Sequence, residues 1–232
     1  MIKIRRSEDR GKREFGWLSA RHSFSFGNYH DKQWMGFRHL RVLNEDWIQP
    51  AKGFGMHPHK DMEILTYVLE GALRHKDSVG NGGVIKPWQV QRMSAGKGIR
   101  HSEFNASKKE PVHLLQIWLL PDKRGHKPSY EEKTFLPKAR TDQLCLIASP
   151  DGAKGSVRIH QNARLYASVL AKDKTLKQAI DPKRYAWIQV ARGSMKVNGK
   201  TLNEGDGAAL WKEKLITLKA IEGVEFLLFD LP

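Results

Sequence analysis

Cysteine is nearly absent from this sequence: Cys145 is the single one in 232 residues. That scarcity excludes an internal disulfide framework and suits a reducing compartment. No apolar run approaches the ~18 residues that a membrane-spanning helix needs. The opening stretch, Met1 to Asp9, lacks the apolar core of a signal peptide. The cytoplasm is therefore the expected location. Also missing are zinc-finger spacing, a basic-leucine repeat and the aromatic box of RNA-binding domains, although the formal net charge is +15. The lysines and arginines are spread along the chain. Their one modest cluster, Arg5, Arg6, Arg10, Lys12 and Arg13, is diluted by Glu8, Asp9 and Glu14. A solvated basic surface that aids solubility or suits anionic small molecules is the reading adopted, and specific nucleic-acid binding is not expected. Helical periodicity is scarce as well, with only short pieces around Leu176 to Ile180.

What the sequence does contain is strand and turn punctuation. Ile64 to Leu69 runs into Glu70-Gly71, and Val112 to Leu120 is stopped by Pro121. Met195-Lys196-Val197 meets Asn198-Gly199, a two-residue hairpin signal. The fold class is all-β with few short helices. The order of strand, glycine turn, hairpin and glycine turn occurs twice, at Thr66 to Gly96 and again at Trp187 to Ala209. Two copies of one β-barrel or sandwich account for that. The boundary is expected in the Pro-, Lys- and Glu-rich stretch from Pro121 to Thr141, giving domains 1–135 and 136–232. The copies differ in chemistry. Seven histidines lie between Met1 and His101, whereas the stretch after Thr141 holds His160 alone.

Two short clusters carry candidate ligands. In Gly53 to Glu63, His57 and His59 stand at i and i+2, which on an extended chain puts both imidazoles on one face. Pro58 places the segment at an edge, and Gly53 and Gly55 permit its approach. In Met93 to Asn105, His101 and Glu103 repeat the i, i+2 spacing after a glycine-rich turn. Three imidazoles and one carboxylate would hold a first-row divalent metal and leave positions open for chemistry. Strand geometry allows either Glu63 or Glu103 as the carboxylate. Cys145 and the histidines His39, His75 and His113 fall outside the pattern and read as structural or surface residues.

The pattern His57-x-His59-x3-Glu63 followed by His101-x3-Asn105 resembles the two motifs of the cupin superfamily. More narrowly, Gly53 to Gly71 and Met93 to Glu103 resemble the pirin family, as do His22 to Tyr29, Met35 to Val42 and the terminal Leu228 to Pro232. The likeness covers nearly the whole chain and is nearest to the shorter bacterial pirin-like quercetin dioxygenases. It implies two tandem cupin barrels with metal in the N-terminal one only. It also implies cleavage of a flavonol such as quercetin by dioxygen, with release of carbon monoxide. The pirin pattern takes Glu103 as the fourth ligand and the base, leaving Glu63 as a partner that orients an imidazole. Fe(II) is the first expectation for the ion, with Mn, Ni, Co, Cu or Zn as alternatives.

Phe24, Phe26, Phe37 and Phe54 are candidate walls for a small aromatic substrate. The competing function is a non-catalytic metal-binding regulator of a transcription factor or enzyme, and a metal-dependent sugar isomerase is a third. Two domains in one chain supply the pairing that single cupins obtain by dimerising, so a monomer is expected.

Overall fold

The computed structural model describes residues 1–232 and consists almost wholly of strands. The chain forms two compact units: residues 11–134 with 157–161, and residues 1–10 with 135–156 and 162–232. The long segments part between residues 134 and 135, and two short pieces cross over. Strand β1 (Ile2–Arg5) pairs with Gly207–Trp211 in the second unit, and residues 157–161 belong to the first. Both exchanges rest on contacts between residues far apart in sequence, which no local pattern encodes.

The strands of the first unit are β2 (Gly11–Glu14), β3 (Leu18–His22), β4 (Leu40–Ile48), β5 (Gly53–His59), β6 (Glu63–Glu70), β7 (Leu73–Asp77), β8 (Gly82–Ile85), β9 (Gln89–Ser94), β10 (Ile99–Asn105), β11 (Val112–Leu119) and β12 (Ser129–Thr134). They form one sheet in the order β12-β9-β6-β11-β4-β3-β2 and a smaller one in the order β5-β10-β7-β8. Inward residues of both sheets, among them Leu18, Ile48, Val68, Leu73 and Ile85, pack into one apolar cluster. This is the cupin arrangement; the sheets are jelly-roll-like and do not close into barrels as the sequence reading had it.

The second unit repeats the plan. Its larger sheet runs β1, Gly207–Trp211, Tyr185–Arg192, Val224–Leu231, Arg164–Leu170, Cys145–Ser149, and its smaller one Thr175–Ala179, Leu215–Ala220, Met195–Val197, Lys200–Leu202. Strand for strand, these orders match those of the first unit from β12 to β3 and from β5 to β8.

Two local expectations are corrected. The stretch from Pro121 to Thr141 is not a plain linker, because β12 within it pairs along its whole length with β9. Its polar composition suits a strand at the margin of a sheet, where charged side chains block further pairing. The helical piece at Leu176 to Ile180 is also strand: Thr175–Ala179 pairs with Leu215–Ala220, and its residues alternate between exposed and half-buried. Tertiary pairing overrides the helix preference of Leu, Lys, Gln and Ala. No helix is long and apolar enough to cross a membrane.

Candidate metal centre

Strands β5 and β10 run antiparallel with His57 opposite His101. The register shifts between His101 and Glu103, so that the interval from Phe54 to His57 on β5 faces the shorter interval from Glu103 to His101 on β10. A bulge of this kind re-aims side chains, and it brings Phe54 and His57 to the wall of the same cavity. Gly53 permits the approach: a Cβ there would lie 2.1 Å from the Glu103 carbonyl oxygen and 2.5 Å from Phe104 Cα.

The ligand atoms of His57, His59 and His101 lie within 4.8 Å of one another. Their ring centroids are 4.5 to 4.8 Å apart. Burial, followed by the neighbouring imidazoles, pushes the pKa of His59 and of His101 down to about 3. Both rings are therefore neutral at ordinary pH, with a lone pair to offer. The Nδ1 of His57 sits 2.7 Å from the Gly55 carbonyl oxygen. The Nδ1 of His101 faces Nδ1 of His75 at 3.3 Å, while its Nε2 is buried with no hydrogen-bond partner. A buried nitrogen without a partner, beside two more imidazoles, fits a first-row divalent cation.

Glu103 is buried on the same strand and lines the same cavity. Gln116 donates from Nε2 to both its oxygens, at 2.9 and 3.1 Å, and the Thr66 hydroxyl donates at 3.3 Å. Burial raises its pKa; the His75 ring and the Gln116 bond act against that. By ligand-atom distance Glu103 groups with His75 and His101, all within 4.8 Å, and not with His57 and His59.

Glu63 lies elsewhere. Its carboxylate accepts from the Ser94 hydroxyl at 2.9 Å and from the His160 amide at 3.1 Å, and its other oxygen is 3.3 Å from His160 Nδ1. The reason is strand alternation: Ile64 lines the cavity, so Glu63 points through the opposite face of β6. Its matching parity with His59 is broken by the turn at residues 60–62. Glu63 therefore partners the imidazole of His160, and these contacts join it to none of His57, His59 and His101.

His75 was read as structural, yet it touches His101. It is buried on β7 beside Asp77, whose Oδ2 lies 3.8 Å from His75 Nε2, and its ring stacks on Tyr130. The alternation Leu73, His75, Asp77 hinted at an inward face. The pairing of His75 with Glu103 across β7 and β10 is what gives it meaning.

The cavity measures about 330 Å³ and is mostly apolar. Of the four phenylalanines suggested as its walls, Phe26 and Phe54 line it, together with Phe15 and Trp118, which the sequence reading missed. Phe24 and Phe37 do not. Past His22 the chain leaves the extended conformation, and Phe24 is fully buried against Trp34. Phe37 bridges to Leu40 in a turn.

Comparison with known proteins gives the family. The Pirin family model matches residues 3–119, and a model described as the quercetinase C-terminal cupin domain matches residues 146–231. Quercetin 2,3-dioxygenase of Escherichia coli K12 is 47% identical over 232 residues, covering 100% of this chain and 99% of its own. A pirin-like protein of Caulobacter vibrioides is 40% identical over 95% of each chain. The crystal structure of the bacterial pirin YhhW from Escherichia coli in complex with nickel(II) superposes with a TM-score of 0.95 at 46% identity, covering 100% of this chain and 99% of that one. The chain belongs to the pirin family.

Proposed function

We propose that the protein is a metal-dependent dioxygenase that cleaves a flavonol such as quercetin with dioxygen and releases carbon monoxide. The observation that carries this reading is the presence of His57, His59, His101 and Glu103 on the wall of one apolar cavity of about 330 Å³. The name of the Escherichia coli relative and the nickel(II) complex of YhhW support it. The ion is divalent, with Fe(II) or Ni(II) the first to test. Held there, it supplies a Lewis acid that lowers the pKa of a phenolic oxygen.

The roles of the side chains follow from their contacts. His57, His59 and His101 offer imidazole nitrogens to the ion. The Gly55 carbonyl accepts from His57 Nδ1–H and leaves Nε2 for the metal. His75 does the same for His101: with its Nδ1 as acceptor, His101 keeps its proton on Nδ1 and its lone pair on Nε2. That assignment turns the Nε2–H of His75 toward Asp77. Such outer partners fix tautomer and ring orientation. Glu103 is the fourth ligand and takes the phenolic proton, while Gln116 and Thr66 fix its oxygens. Phe26, Phe54 and Trp118 flank a planar aromatic ligand and exclude water.

The test is direct. Protein loaded in turn with Fe, Mn, Ni, Co and Cu is mixed with quercetin in air, and loss of flavonol absorbance and release of carbon monoxide are followed. Turnover with at least one metal, absent from the metal-free protein, is expected. No turnover with any of them would favour a metal-binding regulator.

A further inference from the structure

The larger sheet of the first unit carries, on its inner face, a polar row that crosses the strands. Register sets Gln91 opposite Thr66, Thr66 opposite Gln116, Gln116 opposite Asn44, and Asn44 opposite His22. Directly opposed residues share a face, with Cβ atoms about 5 Å apart. All of them are buried. The fold does not demand such a row. On the matching strands of the second unit, Ala208 stands opposite Ile188, Ile188 opposite Leu228 and Leu228 opposite Tyr166. Those residues belong to an apolar core or pack against it.

Most of the polar row is committed to the candidate metal centre. Gln91 Nε2 lies 3.4 Å from His75 Nδ1, and Thr66 and Gln116 both donate to Glu103. Asn44 comes next in the row beyond Gln116. It is only 4% exposed, it lines the cavity, and its Oδ1 is buried without a hydrogen-bond partner. A buried acceptor of this kind is unfavourable until a donor reaches it. The donor cannot be an anion, because a carboxylate or phosphate would meet the carboxamide oxygen with like charge. A neutral hydroxyl on a flat apolar ring suits it, in a cavity whose mostly apolar wall includes Phe26 and Trp118, themselves in edge-to-face contact at 5.4 Å.

We infer that Asn44 is a specificity-determining residue of the cavity, accepting a hydrogen bond from a ring hydroxyl of a hydroxylated aromatic ligand. This rests on the flavonol reading and adds a reason why a hydroxyl-poor ring would be rejected. A site built around a hydroxyl discriminates strongly against the analogue that lacks it, since its polar group is then left unpaired.

The experiment uses the metal-loaded full-length protein under argon. Flavonols that differ from quercetin by single hydroxyl deletions are titrated against it, with quenching of tryptophan fluorescence as the signal. The wild type is expected to prefer quercetin to at least one deletion analogue by about tenfold or more. Asn44→Leu, which imitates the apolar row of the second unit, should bring that ratio below about twofold without weakening the analogue. Asn44→Asp keeps the acceptor and should keep the preference. Asn44→Ala gives the same reading should the leucine variant not fold. Equal weakening of every flavonol by Asn44→Leu, or an unchanged preference, overturns the inference. Flavonols that bind but are not turned over in air defeat the dioxygenase reading alone, and the binding ratios still judge Asn44. Failure of every flavonol to bind overturns both.

Discussion

On β10 the buried positions are Ile99, His101, Glu103 and Asn105; on the matching strand of the second unit they are Ile216, Leu218 and Ala220. On β7 they are Leu73, His75 and Asp77, where the second unit has Met195 and Val197. The same strand order thus surrounds a cavity with buried histidines and a carboxylate in one unit and an apolar core in the other. The second unit shows what this topology needs to fold, namely inward Ile, Leu, Val and Ala in close packing. Against that reference the first unit has exchanged packing for buried histidines, a buried carboxylate and a cavity. Departures of this kind from a consistent core are expected where a protein works and not where it merely holds together.

The contrast can be broken most sharply with a pair of truncations at equivalent strands. His101→Ala should abolish metal binding and turnover while leaving the fold intact, read by metal analysis and circular dichroism. Ile216→Ala should leave metal and turnover unchanged and lower stability by about 2–5 kcal/mol in denaturant titration. If the second truncation removed the metal, the division of labour would be wrong.

A smaller effect is expected at His75. Its replacement by Leu removes the acceptor for His101 Nδ1 and should weaken metal affinity by about 10–100-fold. His75→Asn restores an acceptor oxygen and should recover most of the loss. Long-range nitrogen NMR of the Zn(II)-loaded protein should place the proton of His101 on Nδ1 and that of His75 on Nε2. A proton on Nδ1 of His75 would refute the assignment.

Glu63 supplies a contrast within the first unit. Glu63→Gln should leave metal content unchanged and cost about 1–3 kcal/mol, because it disturbs a buried acceptor of Ser94 and His160. Metal loss in that variant would return Glu63 to the ligand set.

The mildest effect concerns pH. In the metal-free protein His59 and His101 are held near 3, below the ordinary value of 6.5. The unfolded chain therefore binds more protons between those values. Stability contributed by the neutral rings is complete above pH 6.5 and is lost as pH falls toward 3. The melting temperature of the metal-free protein should fall over that window, and His59→Phe should flatten the slope. A slope unchanged in that variant would count against the burial of His59.

Much of this was legible in the sequence because it depends on local rules. Two-residue alternation and turn residues gave the β class, the repeated order gave the two units, and i, i+2 spacing paired His57 with His59 and His101 with Glu103. What was not legible depends on pairing. The exchange of β1 and of residues 157–161 between units, the edge strand β12, and the contact of His75 with His101 all join residues that are distant in the chain. Glu63 stayed open as a ligand because parity was carried through residues 60–62, where alternation no longer holds, and nothing local told the cavity-lining Phe26 and Phe54 from Phe24 and Phe37. The polar row through Asn44 needed strand register, which only the assembled sheet supplies.

The central claim is that one metal ion sits on His57, His59, His101 and Glu103 in the first unit. Elemental analysis of protein purified without a histidine tag, compared with His57→Ala, Glu103→Gln and Glu63→Gln, tests it most directly. The account predicts one equivalent of divalent metal per chain in the wild type and in Glu63→Gln, a marked loss in Glu103→Gln, and none in His57→Ala. Full metal content in His57→Ala, or none in the wild type after reconstitution, would contradict it.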